Sequence, residues 1–330
     1  MRKIAPVLGC FALLALVLAG AALGDSNGGL APPTPKSPNA ERIQDIYWLL
    51  LGISGVIFVI VEGALLLFIY RFRNRGRPRD LEGPQLHGAT RLELIWTAIP
   101  ILIVAGIVTF VLFKLPGINN VPSARAGNNL KVRVEGHQFY WNFVYPNGVI
   151  QVSRLRAPVR RVVELDIASP DVDHSWWIPA LNGKFDAIPG KTNHTWFKAR
   201  REGTYAGQCG EFCGMQHARM VASVQVLSTS AFDRWLADEA AAQEQGTSSL
   251  GQMTFRGACA PCHGLSGQGD VGPRLKDNAL TADAKAIETL LRNGGVKMPA
   301  VGKGWNDRQM KALTAFLKER FAPKGATSGG

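Results

Sequence analysis

Apolar positions along the chain change rhythm several times. Residues 7–18 form a short apolar run behind Arg2 and Lys3 and ahead of Ala22-Leu23-Gly24. A basic start, an apolar stretch and small residues at the end are the parts of an export signal, so 1–24 is expected to be a removed signal peptide. Residues 25–39, rich in Gly and Pro, then read as a flexible start of the mature chain. Two longer apolar runs, at about 47–70 and 94–115, are each sufficient to cross a bilayer core as a helix. Between them lie Arg71, Arg73, Arg75, Arg77 and Arg79. A basic cluster in a short loop marks the cytoplasmic side. Residues 25–124 are therefore predicted to hold a transmembrane hairpin, with everything after Leu115 outside the cytoplasm.

Beyond residue 130 the period shortens to two. Stretches such as Lys131-Val132-Arg133-Val134-Glu135 and Val221-Ala222-Ser223-Val224 alternate, and turn signals such as Pro146-Asn147-Gly148 and Pro189-Gly190 separate them. Short strands at this spacing predict a β-sandwich or barrel over 125–228. Residues 231–245 are rich in Ala and Glu and predict an exposed helical linker within 229–248. The last segment, 249–325, has helical stretches around 282–292 and 307–321 and reads as all-α.

Composition agrees with a chain that is part membrane and part soluble: 330 residues, 46% hydrophobic. The net charge of +12 is spread along the chain. A nucleic-acid binder gathers its cations into one stripe interleaved with aromatics, so that class is disfavoured. Two carboxylates fall in the apolar runs. Glu93 belongs to the first turn of the second helix, where its charge suits the helix dipole. Glu62 lies inside the first, where a charge is costly unless it faces protein or water, and this predicts packing against another membrane subunit.

The five cysteines carry the candidate chemistry. Cys10 follows Val7-Leu8-Gly9, a loose imitation of a lipoprotein cleavage box placed too early in the run, and it reads as part of the discarded peptide. The stretch Cys209-Gly-Glu-Phe-Cys213-Gly-Met-Gln-His217-Ala-Arg-Met220 is more informative. Two thiols four residues apart, an imidazole and a thioether make a soft ligand set that favours copper over Mg²⁺ or Ca²⁺. A second Cys allows two bridging thiolates to hold two copper ions close together. A disulfide and a tetrahedral zinc site are the alternatives, and Met220 argues against zinc. A second His must come from elsewhere; His174, ahead of Ser-Trp-Trp, is the leading candidate, with His137 and His194 as alternatives. His87 falls on the cytoplasmic side.

At these residues the chain resembles subunit II of the haem–copper cytochrome c oxidases. The resemblance rests on Cys-x-Glu-x-Cys-x3-His-x2-Met at 209–220, on His174-Ser-Trp-Trp-Ile-Pro, on Lys184-Phe-Asp-Ala-Ile-Pro-Gly190 and on the two-helix anchor. It covers roughly 40–228. It implies a cupredoxin-like fold and a binuclear copper A centre. Cys209 and Cys213 would bridge the coppers, with His174 and His217 as terminal ligands, Met220 as one axial ligand and the Glu211 carbonyl as the other. The Glu211 side chain would reach a magnesium ion shared with subunit I, and Glu93 would stand at the mouth of a proton channel of that subunit. One position departs from the family: the aromatic run after Gly136-His-Gln starts with Phe139 where a Trp usually accepts electrons from soluble cytochrome c.

Cys259-Ala-Pro-Cys262-His263 is a c-type haem attachment motif, each Cys adding to one vinyl group and His263 ligating iron. Met298, in Gly-Gly-Val-Lys-Met-Pro, is the expected sixth ligand, since His/Met pairing raises a cytochrome's potential. Met310 falls in a helical pattern and Met253 lies upstream of the motif. A thioredoxin-type redox disulfide would need a βαβ surrounding that this segment lacks. Residues 249–325 resemble a class I cytochrome c domain, with Gly272-Pro273 like the loop beside the proximal His.

Together the resemblances imply a multidomain membrane protein: a transmembrane hairpin, an all-β cupredoxin-like sandwich and an all-α cytochrome c domain. Electrons would pass from an external donor, cytochrome c or a quinol–cytochrome c reductase, through haem c and copper A to haem a of subunit I, where oxygen is reduced and protons are pumped. No residue here is expected to act as a catalytic acid, base or nucleophile. Implied partners are subunit I and subunit III, in a bacterial inner membrane, with both soluble domains on the outer side. The competing implication is an electron-transfer subunit of another respiratory reductase; a copper-free quinol oxidase subunit would lack the ligands present here.

Overall fold

The computed structural model describes residues 32–73, 83, 85, 87–122, 129–246 and 248–323. The expected signal peptide with Cys10, and Arg75, Arg77 and Arg79 of the basic loop, lie outside the described residues. The chain divides into two compact units, Arg42–Ile118 and Met1–Glu41 with Asn119–Gly330.

The first unit is a helical hairpin. Helix α1 spans Pro38–Phe72 and α2 spans Thr90–Lys114, followed by the single turn α3, Pro116–Asn119. Both long helices carry windows of mean hydropathy 2.5 with none of that window buried. Side chains such as Leu102 and Phe113 are exposed. An apolar surface of this extent calls for lipid or protein cover. Pro100 lies inside α2, a placement that membrane helices tolerate. The hairpin ends are joined by Lys114 Nζ to Asp45 at 2.7 Å and by Arg42 Nη1 donating to the Gly117 carbonyl at 2.8 Å. Helix α1 starts at Pro38, ahead of the expected residue 47. The sequence-level boundary followed the apolar run, whereas the polar residues upstream continue the same helix.

The second unit opens with a ten-strand sandwich. One sheet has the order β3 (Ile150–Val152), β2 (Tyr140–Val144), β1 (Leu130–His137), β5 (Val163–Ala168), β8 (Asn193–Phe197). The other has β4 (Arg154–Pro158), β10 (Val221–Leu227), β9 (Gly203–Cys209), β6 (His174–Trp177), β7 (Phe185–Ala187). The β1–β5 and β10–β4 pairs are parallel; the other ladders are antiparallel. Alternation along β5 and β10 turns one set of side chains inward, as a half-buried strand requires. Val132, Val134, Trp141, Phe143, Leu165, Ile167 and Trp176 fill the space between the sheets.

Strand β2 is buried on both faces. Trp141 and Phe143 point into the sandwich, while Tyr140 belongs to a second apolar cluster with Phe255, Trp305 and Leu313. That cluster is the core of the C-terminal helical segment: α5 (Leu250–Thr254), a π-turn (Phe255–Cys259), α6 (Ala260–His263), α7 (Ala284–Asn293) and α8 (Asp307–Phe321). Asp283 caps α7 through the Lys285 and Ala286 amides at 3.0 Å, and Asn306 caps α8 through Gln309 at 2.9 Å. At Gly251 the helices α5 and α8 approach so closely that a Cβ would stand 2.2 Å from the Ala312 carbonyl. Only glycine fits there.

The connection between sandwich and helical segment is not the exposed linker expected from its composition. Helix α4, Thr229–Glu244, starts on a Ser228 cap and buries Phe232 completely, with Trp235 and Leu236 packed on the sandwich core. Gln243 is buried and finishes the free edge of β3, accepting from the Ile150 amide at 3.0 Å and donating to its carbonyl at 2.7 Å. An open sheet edge leaves such groups unpaired, and a primary amide, with an NH2 donor and a carbonyl acceptor, satisfies both. Apolar residues at one helical face, hidden among many Ala and Glu, explain why the composition misled.

Candidate metal and haem centres

The copper candidates come together at one end of the sandwich. Strand β9 ends at Cys209 and β6 begins at His174, and the two strands are hydrogen-bonded neighbours through Trp176 and Cys209. Backbone bonds from Cys209 N to Met220 O at 2.9 Å and from Gly210 N to Ser175 O at 2.8 Å fold the loop 210–220 back over that end. Among the described residues, ligand atoms of His174, Cys209 and Cys213 all lie within 4.8 Å of one another, and all three are buried. Cys209 Sγ lies 4.0 Å from Cys213 Sγ, 3.9 Å from His174 Nδ1 and 3.2 Å from the Glu211 carbonyl. Cys213 Sγ lies 3.6 Å from His217 Nδ1 and 3.7 Å from Met220 Sδ. Soft sulfur and imidazole donors converge from both sides of a thiol pair. That donor set fits copper and leaves no role for a hard, oxygen-seeking cation.

Electrostatics split the two thiols. The hydrogen bond from Cys213 holds the Cys209 thiol well below the ordinary range despite its burial, and His174 adds to this. Sharing that proton, together with burial, pushes Cys213 up. Burial pulls the His174 imidazole down, but the bonds to Asp171 and Cys209 outweigh it and raise the imidazole overall. Asp171 Oδ1 stands 2.8 Å from His174 Nε2, so Nδ1 is left to face the thiols. The Asp171 carboxylate is itself fixed by the Gln138 amide at 2.7 Å and the Val172 amide at 2.7 Å. A carboxylate behind a ligating histidine sets its tautomer and ring orientation. Gly136 permits this packing: a Cβ there would stand 3.0 Å from the His174 ring. The alternatives fall elsewhere. His137 is buried against Glu135 and stacked on Tyr140 with centroids 4.8 Å apart, and His194 is exposed beside Asp166 at 2.7 Å.

The Glu211 side chain is exposed, with Oε2 3.5 Å from Lys184 Nζ. Phe212 and Met215 beside it are large, apolar and exposed. Glu93, in the hairpin unit, caps α2 by accepting the Ala89 amide at 3.1 Å.

The haem candidates surround one narrow cavity. Cys259, Cys262, His263, Met298, Pro299 and Val301 line one side, and Gln138 and Phe139 of the sandwich line the other. Burial pushes the Cys259 thiol up to about 12 and also raises Cys262. His263 Nδ1 stands 2.7 Å from the Pro273 carbonyl, which leaves Nε2 for a ligand. Gly272 lies so close that a Cβ would stand 2.8 Å from that ring. Met298 is on the same cavity as His263, whereas Met310 is buried in the α8 core. Two thiols, an imidazole with one nitrogen free and a thioether on the same cavity fit a covalently held haem.

Comparison with known proteins is consistent along the chain. Residues 26–115 match the transmembrane domain of cytochrome c oxidase subunit II, and 149–227 match its periplasmic domain. Residues 247–317 match the family described as cytochrome c oxidase, cbb3-type, subunit III. Cytochrome c oxidase subunit 2 of Alkalihalophilus pseudofirmus is 32% identical over 92% of this chain and 94% of its own length. The chain belongs to the cytochrome c oxidase subunit II family. The probable subunit 2 of Rickettsia bellii is 31% identical over 67% of this chain and 87% of its own. Among solved structures, the periplasmic domain of Bradyrhizobium japonicum subunit II matches at 32% identity and TM-score 0.34, covering 36% of this chain and 96% of that one. As a subunit II with a cytochrome c domain, the chain is the electron-transfer part of a haem–copper terminal oxidase, a two-pass inner-membrane protein that works with a subunit I.

Three contributors escaped the sequence reading. Asp171 stood three residues before His174, a spacing that could have marked it as the orienting carboxylate. Gln138 and Trp305 carried no local signal, because their partners are distant in sequence.

Proposed function

We propose that this chain receives electrons from an external donor at a covalent haem c and passes them through a binuclear copper A centre to haem a of subunit I. The observation that carries the reading is the convergence of both thiols, both imidazoles and the thioether of 174–220 on one buried end of the sandwich. When bound, the two groups supply reversible one-electron chemistry. The chain's own residues do the rest. Cys209 and Cys213 would hold the copper pair together with His174 and His217, and Met220 and the Glu211 carbonyl would complete its ligand set. Asp171 fixes the His174 ring, so little rearrangement is needed when charge changes. Cys259 and Cys262 would tether the haem, and His263 and Met298 would hold its iron.

The exposed Glu211 carboxylate would ligate magnesium at the boundary with subunit I, flanked by the apolar rim of Phe212 and Met215. Glu93 would serve a proton channel of that subunit. The basic chain suits a donor with an acidic face, since complementary charge steers encounter. Both soluble domains would lie on the periplasmic side, and subunit III would complete the membrane complex.

The test is metal and haem analysis with electron paramagnetic resonance on the full chain in detergent. It should be expressed with haem-attachment machinery and loaded with copper. Two coppers per chain sharing one unpaired electron, beside one covalent haem, are expected. A mononuclear copper signal, or zinc in its place, would overturn the binuclear assignment.

A further inference from the structure

The three residues between β1 and the body of β2 touch both candidate centres. Gln138 donates its backbone N–H to Asp171 Oδ2 at 2.7 Å, and Asp171 holds His174. Its side-chain Nε2 donates to the Cys213 carbonyl at 2.7 Å. Phe139 follows and forms a wall of the haem cavity. Next, the Tyr140 hydroxyl donates to the Val301 carbonyl at 2.7 Å and accepts from Trp305 Nε1 at 2.6 Å. Val301 is itself part of the cavity wall, a short step from Met298. One turn of chain therefore grips the copper loop on one side and the haem pocket on the other.

From this geometry we infer that the Gln138–Phe139–Tyr140 corner is a bracket that keeps the cytochrome segment permanently docked on the sandwich, with Tyr140 as a positioning residue for electron transfer between the two centres. The inference rests on the proposed electron route.

The chemistry of the seam distinguishes a fixed dock from a carrier that swings. A reversible dock must rehydrate its polar groups at low cost, so it is small, wet and polar. Here the polar groups are buried and answered by one another. Tyr140 is fully buried, and its hydroxyl has both a donor and an acceptor role filled. Its ring stacks on His137 and meets Trp305 edge-on with centroids 6.2 Å apart. A second pair continues the seam: Asn142 and Gln309 exchange two bonds at 3.3 Å, and Gln309 reaches Thr254 at 3.4 Å. Opening the seam would strip these groups of partners before water replaced them, and a satisfied buried network resists that. Helix α4, which leads from the sandwich to the helical segment, is itself packed along the sandwich rather than free.

Two variants remove one half of the central contact each: Tyr140→Phe, which keeps the ring, and Trp305→Phe, which keeps an aromatic side chain without the N–H. The first readout is amide hydrogen exchange on the full chain, over residues 138–144 and 301–313. In the native chain both stretches should exchange slowly and together. In Tyr140→Phe, the Trp305 N–H and the Val301 carbonyl lose their partner, and exchange on both sides should rise together by roughly tenfold to a hundredfold. The second readout is electron transfer from pulse-reduced haem to copper within the full chain. The native rate should not change with solvent viscosity, and Tyr140→Phe should slow it about tenfold with copper and haem spectra intact. Native exchange kept in both variants, or a native rate that falls as viscosity rises, would overturn the fixed dock. If copper or haem fails to bind, the proposed electron route fails, yet hydrogen exchange on the same chain still decides the docking.

Discussion

Asp171 Oδ1 stands 2.8 Å from Nε2 of His174, and the other ring nitrogen faces Cys209 Sγ at 3.9 Å. One carboxylate thus decides which nitrogen a metal meets. The same carboxylate accepts the Gln138 and Val172 amides, so its position is set by backbone. In Asp171→Ala the ring loses its orienting partner and two amides lose their acceptor. Copper affinity should fall about 10- to 100-fold, the usual cost of losing such a support. Competition titration against a copper chelator measures it, and Asp171→Asn should fall between the two.

Met298 is the proposed sixth ligand and Met310 a packing residue. Met298 lines the same cavity as His263, and Met310 is buried in the core of α8. In Met298→Ala the haem should lose its sulfur-to-iron charge-transfer band, and its potential should drop, because thioether ligation raises it. Met310→Leu should leave the spectrum unchanged and cost less than about 1.5 kcal/mol of stability, as volume-conserving core swaps do. Optical spectra and potentiometric titration of the two variants decide the assignment.

Gln243 closes a sheet edge with its amide. In Gln243→Ala the Ile150 N–H and carbonyl both lose their partner in a buried position. Unfolding free energy should fall by about 1–3 kcal/mol. Denaturant titration is the measurement, and copper loading should be retained because β3 is the edge of the other sheet from β6 and β9.

Acid sensitivity should centre on Glu135. Burial works against its charge, but bonds from His137 and Asn142, with Arg133 at 2.8 Å, outweigh burial and hold the carboxyl below 4.5. A carboxyl depressed by folding stabilises the native state above its unfolded pKa, and that stability is lost as pH falls through the folded value. The native chain should therefore lose stability on acidification below about 4.5, while Glu135→Gln should show a flatter acid limb. Thermal unfolding across pH 3–7 tests the slope, a range set on the order of the ordinary carboxyl and imidazole values.

Local pattern was enough for much of the architecture. Apolar length alone marks α1 and α2, because a bilayer demands it, although Pro38–Glu41 show that polarity does not end a helix. Alternation marks β5 and β10, since one face is wet. Cys209, Cys213, His217 and Met220 lie within one short loop, and Cys259, Cys262 and His263 within one turn, so their grouping is written in adjacent residues. Composition hides the buried face of α4, because Phe232, Trp235 and Leu236 are few among Ala and Glu, and what they cover is a distant sheet.

What only the tertiary structure decided is every relation across sequence distance. Pairing of β6 with β9 brings His174, the leading sequence candidate, beside Cys209 and leaves His137 and His194 elsewhere. Strand β2 reads as an aromatic run, yet the fold sends Trp141 into one core and Tyr140 into another. Residue types and short spacings determine which chemistry is possible, because ligand softness and helix or strand period are local properties. Which groups meet is set by the packing of sheets and helices, since only a buried, fully paired arrangement repays the desolvation of Tyr140, Trp305, Asn142 and Gln309.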